Sequence, residues 1–432
     1  MAPLGPFGEA PRIAAGISGG PHSLALGLLA DHWARMRGGG LLALVVDHGL
    51  RPESAAEADH VAAMLGSRGI AARVLRLHLP AGPGLQARAR AARLAALTQA
   101  ASAAGRPWLL LGQHRADQAE TLLFRALRGS GPAGLAGMAA VREGGAALVL
   151  RPLLGVAPAT LEAVVAEAGL VPVRDPSNAD ARFARVRLRA ALADPGGEGA
   201  GVAALAAAAA AFTARRERTE AEVAARLAAA AELRPEGFAW IDPAVFGQDR
   251  VAAAGLAWLV RLVGGGAMAP APVQVAAMLS AGGGTLGGAW LRAGARGRWL
   301  LARDPGGLAP EVEALAGATW DRRFRLAGPG RAGWRLGALG TAAAALRGGA
   351  GLPSAVLRAL PAIRDPNGAL AAVPMLDYPS SEACRPFATV FAPGVGGEFS
   401  ARPFKAGQPD LMCSANAGGP SRPARRETTA RE

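Results

Sequence analysis

Two short clusters in the first third of the chain have residue types and spacings that could do chemistry. The first is Ser18-Gly19-Gly20-Pro21-His22-Ser23. An apolar run over 12–17 leads into it and a helix-like run over 24–36 follows, which makes it a strand, a glycine-rich turn and a helix N-terminus. Such a turn gathers unpaired backbone N–H groups around an anion, and glycine has no Cβ to hold a phosphate away. The Ser18 and Ser23 hydroxyls add donors, so the stretch reads as a pyrophosphate cradle. A tight strand-to-helix connection with no ligand is the plainer alternative. It is not a P-loop, because the sole lysine of the chain is Lys405 and the P-loop needs one beside its turn.

The second cluster is Gly112-Gln113-His114-Arg115-Ala116-Asp117-Gln118-Ala119-Glu120-Thr121, opening a helix that runs to about Arg128. Asp117, Glu120 and Thr121 stand at i, i+3 and i+4, hence on one face. Two carboxylates there suit a magnesium ion or an ammonium group; complementing the helix dipole is the structural alternative. Further on, Arg182, Arg185, Arg187 and Arg189 fall within one short stretch. That density fits contacts to RNA phosphates, or else a solvated helix face.

The elements that must position these residues alternate. Apolar runs over 12–17, 41–46, 71–77 and 107–111 read as strands, and 24–36, 55–68 and 85–104 as helices. Strands buried on both faces with helices between them predict a doubly wound parallel sheet, in which polar residues just past the strand ends, such as Asp47, lie where ligands bind. The glycine-rich stretch 129–135 reads as irregular, 195–201 as a linker and 203–233 as one long helix. From Phe238 onward tryptophans and short β-like runs appear, and 289–292 with 298–301 read as a hairpin. The tryptophans are expected in the core. After Phe404 the chain is polar and small-residue rich, as in a disordered tail.

Composition narrows the classes. With 51% apolar and 19% charged residues the chain is globular, and 432 residues allow two or three domains. A formal net charge of +14 favours a polyanionic partner such as nucleic acid. Cys384 and Cys413 form no CxxC pair, which argues against an iron–sulfur cluster or structural zinc held by this chain alone. With no secretion-type start and no apolar run long enough to span a bilayer, a cytoplasmic protein without membrane contact is expected. The oligomeric state is open, a homodimer being one option.

The motifs fall in a set order: SGGPHS after the first strand, VDHGLRPES after the second, then GLQARARAARL, GQHRADQAETLLFRALRGSGPAGLAGM, RPLL and RDPSNADARFARVRLR. This order resembles the tRNA(Ile)-lysidine synthase family of PP-loop ATP pyrophosphatases, well over residues 11–192 and weakly beyond. The resemblance implies a Rossmann-like PP-loop domain over 1–194, a helical connector over 195–237, a smaller α+β C-terminal tRNA-recognition domain over 238–403 and a tail over 404–432. It implies ATP and Mg2+ as cofactors, and as partners L-lysine and the tRNA(Ile) whose anticodon is CAU. The wobble cytidine would be adenylated at its C2 oxygen, and lysine would displace AMP to form lysidine, converting codon specificity from AUG to AUA.

By the same resemblance Ser18, Gly19, Gly20, Pro21, His22 and Ser23 would hold the nucleotide, and Asp117 and Glu120 the lysine ammonium or the metal. His114 would stand beside the reacting base, Asp47 near adenosine or metal, and Arg128 near phosphate. Arg90, Arg93, Arg128, Arg182, Arg185, Arg187 and Arg189 would meet tRNA. Two positions depart from the family pattern. Its loop reads SGGxDS, and His22 stands where the acid belongs; Ala116 replaces the first of two adjacent acids. Those departures leave open a catalytically silent PP-loop tRNA-binding protein. Another PP-loop tRNA-modifying enzyme, such as a thiolase, is the second alternative, against which the lack of cysteine before residue 384 argues.

Overall fold

The computed structural model describes residues 1–49, 52–78, 82, 84–173, 182, 184–379, 387–394 and 398–399. The expected tail and the motif Arg174-Asp175-Pro176-Ser177-Asn178 lie outside them. The N-terminal part alternates as the apolar runs predict: β1 (Arg12–Ile17), α1 (Pro21–Arg35), β2 (Gly40–Asp47), α2 (Ser54–Gly66), β3 (Ala71–Arg76), α3 (Leu85–Ala103) and β4 (Trp108–Leu111). There follow α4 (Arg115–Leu127), α5 (Pro132–Leu135), β5 (Val141–Glu143), β6 (Leu148–Leu150), α6 (Pro158–Glu167) and α7 (Ala184–Leu192).

The sheet order is β5-β6-β4-β1-β2-β3, with the two-residue strand Glu398–Phe399 at the outer edge of β5. β1, β2, β3, β4 and β6 run parallel, and β5 pairs antiparallel with β6. Side chains alternate across a strand. Ile13, Ala15 and Ile17 therefore join Leu24, Leu65 and Leu161 on one side of the sheet, while Ala14 joins Leu97, Leu109 and Val149 on the other. From β1 the chain steps outward through β2 and β3, then returns to place β4 on the opposite flank of β1. The strand order thus reverses between β1 and β4, the position where open α/β sheets form a ligand crevice.

Two expectations change in detail. The glycine-rich stretch is not wholly irregular: Pro132 starts the short α5, and Arg125 Nη1 ties the loop down by donating to Gly134 O at 2.8 Å and Gly137 O at 2.7 Å. The long helix, α8 (Ala200–Ala230), stops before Leu233. Residues Ala231–Arg234 become β7, because pairing with β8 (Phe238–Ile241) overrides local helix propensity. α8 packs against α4 and is pinned by Thr213, whose hydroxyl donates to Ala136 O at 2.9 Å.

Beyond it, α9 (Pro243–Phe246), α10 (Arg250–Gly264) and α11 (Pro272–Ala281) accompany a sheet ordered β7-β8-β11-β10-β9, with β9 (Gly284–Leu286), β10 (Ala289–Ala293) and β11 (Trp299–Arg303). The expected hairpin is β10–β11, paired Leu291 to Leu301. Two small antiparallel sheets follow, of four and three strands. Trp320 is fully buried among them, whereas Trp258 is 47% exposed. A buried ionic triad ties β11 to this last part: Arg303 Nε donates to Asp321 Oδ2 at 3.0 Å and Arg323 Nε to the same oxygen at 2.8 Å. Among the described residues no helix is long and apolar enough to cross a membrane.

Candidate active site

A cleft of about 500 Å³ opens where β1 and β4 end. Gly19 takes φ +80°, and a Cβ there would lie 2.6 Å from Val61 Cγ2. Its carbonyl accepts from Val173 N–H at 2.9 Å. Gly19 is thus required by backbone conformation and by packing away from the cleft. Gly20 caps α1 in an extended conformation, and a Cβ there would meet nothing nearer than Ser18 Oγ at 3.7 Å. Pro21 has no N–H, and the first-turn N–H groups of His22 and Ser23 have no acceptor within the helix. Ser23 Oγ donates to Gly20 O at 2.9 Å, accepts from Ser18 N–H at 3.1 Å and lies 3.1 Å from Ser18 Oγ, which braces the turn. Gly112, at the end of β4, lets the second loop touch the first, since a Cβ there would be 3.2 Å from His22 O. Gly19→Ala is expected to lower stability by about 2–3 kcal/mol through left-handed strain and overlap. A urea midpoint unchanged from that of the parent chain would contradict this.

The second cluster meets the first through two imidazoles. His22 and His114 rings stand edge to face with centroids 4.2 Å apart. His22 Nε2 is 3.4 Å from Glu162 Oε1 on α6. His114 caps α4, its N–H donating to Asp117 Oδ2 at 3.0 Å, and its Nε2 lies 3.4 Å from the same oxygen. Burial pulls the His114 pKa down to about 4, against the pull of Asp117 and with help from His22 and Arg189. The ring is neutral at pH 7. Because the unfolded ring titrates near 6.5, the unfolded chain binds more protons between the two values. This contribution is complete above pH 6.5 and is lost as pH falls toward 4, a change of about 3 kcal/mol. His114→Gln should flatten that part of the stability profile, as read from urea midpoints at several pH values.

Glu120 is 1% exposed and accepts from Arg189 through both oxygens, at 2.6 Å from Nε and 3.2 Å from Nη2. Arg189 Nη2 is 3.9 Å from Asp117 Oδ1. Burial raises the Glu120 pKa and Arg189 opposes the rise; the hydrogen bonds that Arg189 donates to Glu120 in turn raise its own pKa. The expected pair of acids on one face therefore exists, and it holds a guanidinium.

Of the residues singled out from sequence, Ser18, Gly20, Pro21, His22, Ser23, Arg90, Arg93, His114, Asp117, Arg185 and Arg189 line the cleft. Burial lowers the pKa of Arg90 and Arg93, and for Arg90 Arg185 adds to the effect, a sign of crowded positive charge on this wall. Asp47 is not among the lining residues: its Oδ1 accepts from Ser54 Oγ at 2.6 Å and Gly49 N–H at 2.9 Å, so it fixes the loop after β2. The Ser54 hydrogen bond is the chief reason the Asp47 pKa is lowered. Arg128 lies away from the cleft over Phe124, and Arg182 and Arg187 are exposed outside it. Ala116 is buried against Ala119 and Val202. Sequence reasoning missed Glu162 and did not single out Gln113, both lining residues. Gln113 lay beside a noted histidine, whereas nothing local marks Glu162.

A family model described as a PP-loop domain matches residues 3–195. The chain is similar to the tRNA(Ile)-lysidine synthase of Novosphingobium aromaticivorans, 49% identical over 42% of this chain and 56% of that one. It is 45% identical to that of a Bradyrhizobium strain over 45% of this chain and 55% of the relative. Against that of Methylobacterium sp. 4-46 it is 43% identical over 60% of this chain and 73% of the relative. The chain spans little more than half the length of the first two. A U34-tRNA thiolase from Methanococcus maripaludis superposes with a TM-score of 0.41 at 15% identity, covering 48% of this chain and 74% of the other.

Proposed function

The chain belongs to the tRNA(Ile)-lysidine synthase family, and from that membership we propose that it joins L-lysine to the wobble cytidine of tRNA(Ile) bearing a CAU anticodon, using ATP. The observation that carries this reading is that a phosphate-type turn and the cleft-lining Asp117, linked through Arg189 to the buried Glu120, which is not itself a lining residue, meet at one strand-order reversal. A cytosine carbonyl oxygen is a poor leaving group, so it must first be activated. The C2 oxygen attacks the α-phosphorus of ATP, forming a P–O bond as the bond to pyrophosphate breaks. The lysine ε-ammonium gives one proton to solvent, the amine so freed attacks C2 through its lone pair, the C–O bond breaks, AMP leaves with the oxygen, and the nitrogen then loses its second proton.

Within this scheme the α1 N-terminus and its flanking turn take the phosphates, and the arginines of the cleft stabilise developing negative charge. Asp117 and Glu120 hold the lysine ammonium, a role for which a pair already holding the Arg189 guanidinium is suited. Neutral His114 stands beside the reacting base, and the basic surface of a chain of net charge +14 takes tRNA phosphates. Arg128, Arg182 and Arg187, outside the cleft, belong to that outer surface.

Magnesium does not fit the acid pair: the Arg189 guanidinium already neutralises it through both Glu120 oxygens and the backbone N–H of His114 takes one Asp117 oxygen, which leaves no octahedral set of oxygens, whereas the remaining lone pairs still suit the N–H groups of an ammonium. Among the described residues no three His, Cys, Asp or Glu side chains converge on a metal position. No step is assigned to the ion.

The test is AMP formation from ATP. It should require both lysine and unmodified tRNA(Ile). Salt-sensitive tRNA binding without lysine-dependent AMP would replace this reading with a silent tRNA-binding protein.

A further inference from the structure

The cleft offers a ligand many donors and few free acceptors. Arg90, Arg93, Arg185 and Arg189 line it, and a guanidinium carries donors only. Of the carboxylates on its wall, Asp117 accepts from the His114 backbone N–H at 3.0 Å and Asp194 from the Gly199 N–H at 2.8 Å, while Glu162 stands 3.4 Å from His22 Nε2 without a hydrogen bond and keeps its charge for a cation. The Ser18 and Ser23 hydroxyls brace each other. Gln113 Oε1 and His114 Nδ1 differ. Both atoms are buried, both belong to lining residues, and neither has a hydrogen-bond partner among the described residues.

With its Nε2 edge toward Asp117 and the ring neutral, His114 carries its proton on Nε2 and a lone pair on Nδ1. Two successive residues just past β4, both in the cleft wall, thus carry buried acceptors that have no partner among the described residues. Buried polar atoms are normally paired, so a ligand that completes this wall must bring N–H or O–H donors. An ammonium is drawn to the carboxylates instead. The exocyclic amine of a nucleobase is neutral, planar and has two hydrogens.

We propose that Gln113 is a specificity-determining residue whose Oε1 accepts a hydrogen bond from the exocyclic amine of an aminopurine or aminopyrimidine bound in the cleft. This rests on the nucleotide reading of the cleft given above. A keto base in the same place would set its carbonyl oxygen against Gln113 Oε1, and relieving that contact would require the amide to turn over and bring Nε2 to the base. The amine belongs either to adenine of the nucleotide or to cytosine of the RNA, and the two sources are separable.

The experiment measures equilibrium binding to the full chain and to Gln113→Met, a replacement of similar shape with no acceptor, and Gln113→Glu, which keeps one. The adenine arm compares ATP with purine-riboside triphosphate, which lacks the amine. The cytosine arm compares anticodon stem-loops carrying cytidine or 2-pyrimidinone at the wobble position. In the arm that holds the true source, the parent chain should prefer the amine about tenfold, Gln113→Met should erase the preference and Gln113→Glu should retain it. A preference is a ratio, so a smaller folded fraction in a variant leaves it unchanged. Preference absent from the parent chain, or intact in Gln113→Met in both arms, overturns the proposal. Because both arms read binding alone, a chain that never joins lysine to tRNA sinks the ligase reading and leaves this result to be judged on its own.

Discussion

Replacing Glu120 by glutamine is expected to cut lysine incorporation about a hundredfold while leaving ATP binding within about twofold, since misplacing a reacting group has effects of that order. The amide keeps the shape of a side chain that is 1% exposed but removes the charge that holds Arg189 at 2.6 Å. The lysine ammonium then loses one of its two carboxylates, and Arg189 is free to turn toward Asp117, 3.9 Å away, and neutralise the other. Because the Arg189 side chain is 47% exposed, it can also be rehydrated, so the stability loss should stay near 1 kcal/mol. Single-turnover labelling beside a urea titration separates the two effects. Incorporation at the parent rate would remove Glu120 from the amine site, and a loss of several kcal/mol would make its role structural.

Asp321→Asn should have the largest effect on stability, about 3–5 kcal/mol, because removing one member of a buried ionic group leaves charge without compensation. Burial works against the Asp321 charge, yet Arg303 and Arg323 hold its carboxyl below the usual range; burial likewise pushes Arg323 down to about 10, against Asp321. Arg303 also donates to Gly288 O at 2.8 Å and to Gly307 O, which joins the hairpin to the sheets beyond it. The loss should therefore appear in the C-terminal part first, as an early unfolding phase with the PP-loop domain still folded. A denaturation curve superimposable on that of the parent chain would contradict this.

What could be read from sequence was local. β1, β2 and β4 announce themselves as apolar runs, and the turn after β1 and the acids on α4 follow from spacing within a few residues. The reason for Gly19 was legible only in part: its turn was expected, but the contact with Val61 depends on α2 packing onto the sheet. Glu120 and Arg189 were each noted, one for amine or metal and the other for RNA, yet they meet across 69 residues of chain and share one ion pair. Glu162 was invisible for the same reason, since only the docking of α6 beside α1 brings it to His22. Ala231–Arg234 looked helical because its residues favour helix, and the partner strand that claims it lies beyond the next turn. Asp47 stood at a strand end, where ligands bind, but Ser54 and the Gly49 N–H were nearer.

The central claim is tested most directly by incubating the purified chain with ATP, magnesium, radiolabelled lysine and unmodified CAU-anticodon tRNA(Ile), and scoring label retained on the RNA. Label that requires ATP and is lost when the wobble cytidine is replaced by uridine is the expected result. No label on an RNA that the protein binds tightly in low salt would contradict the account.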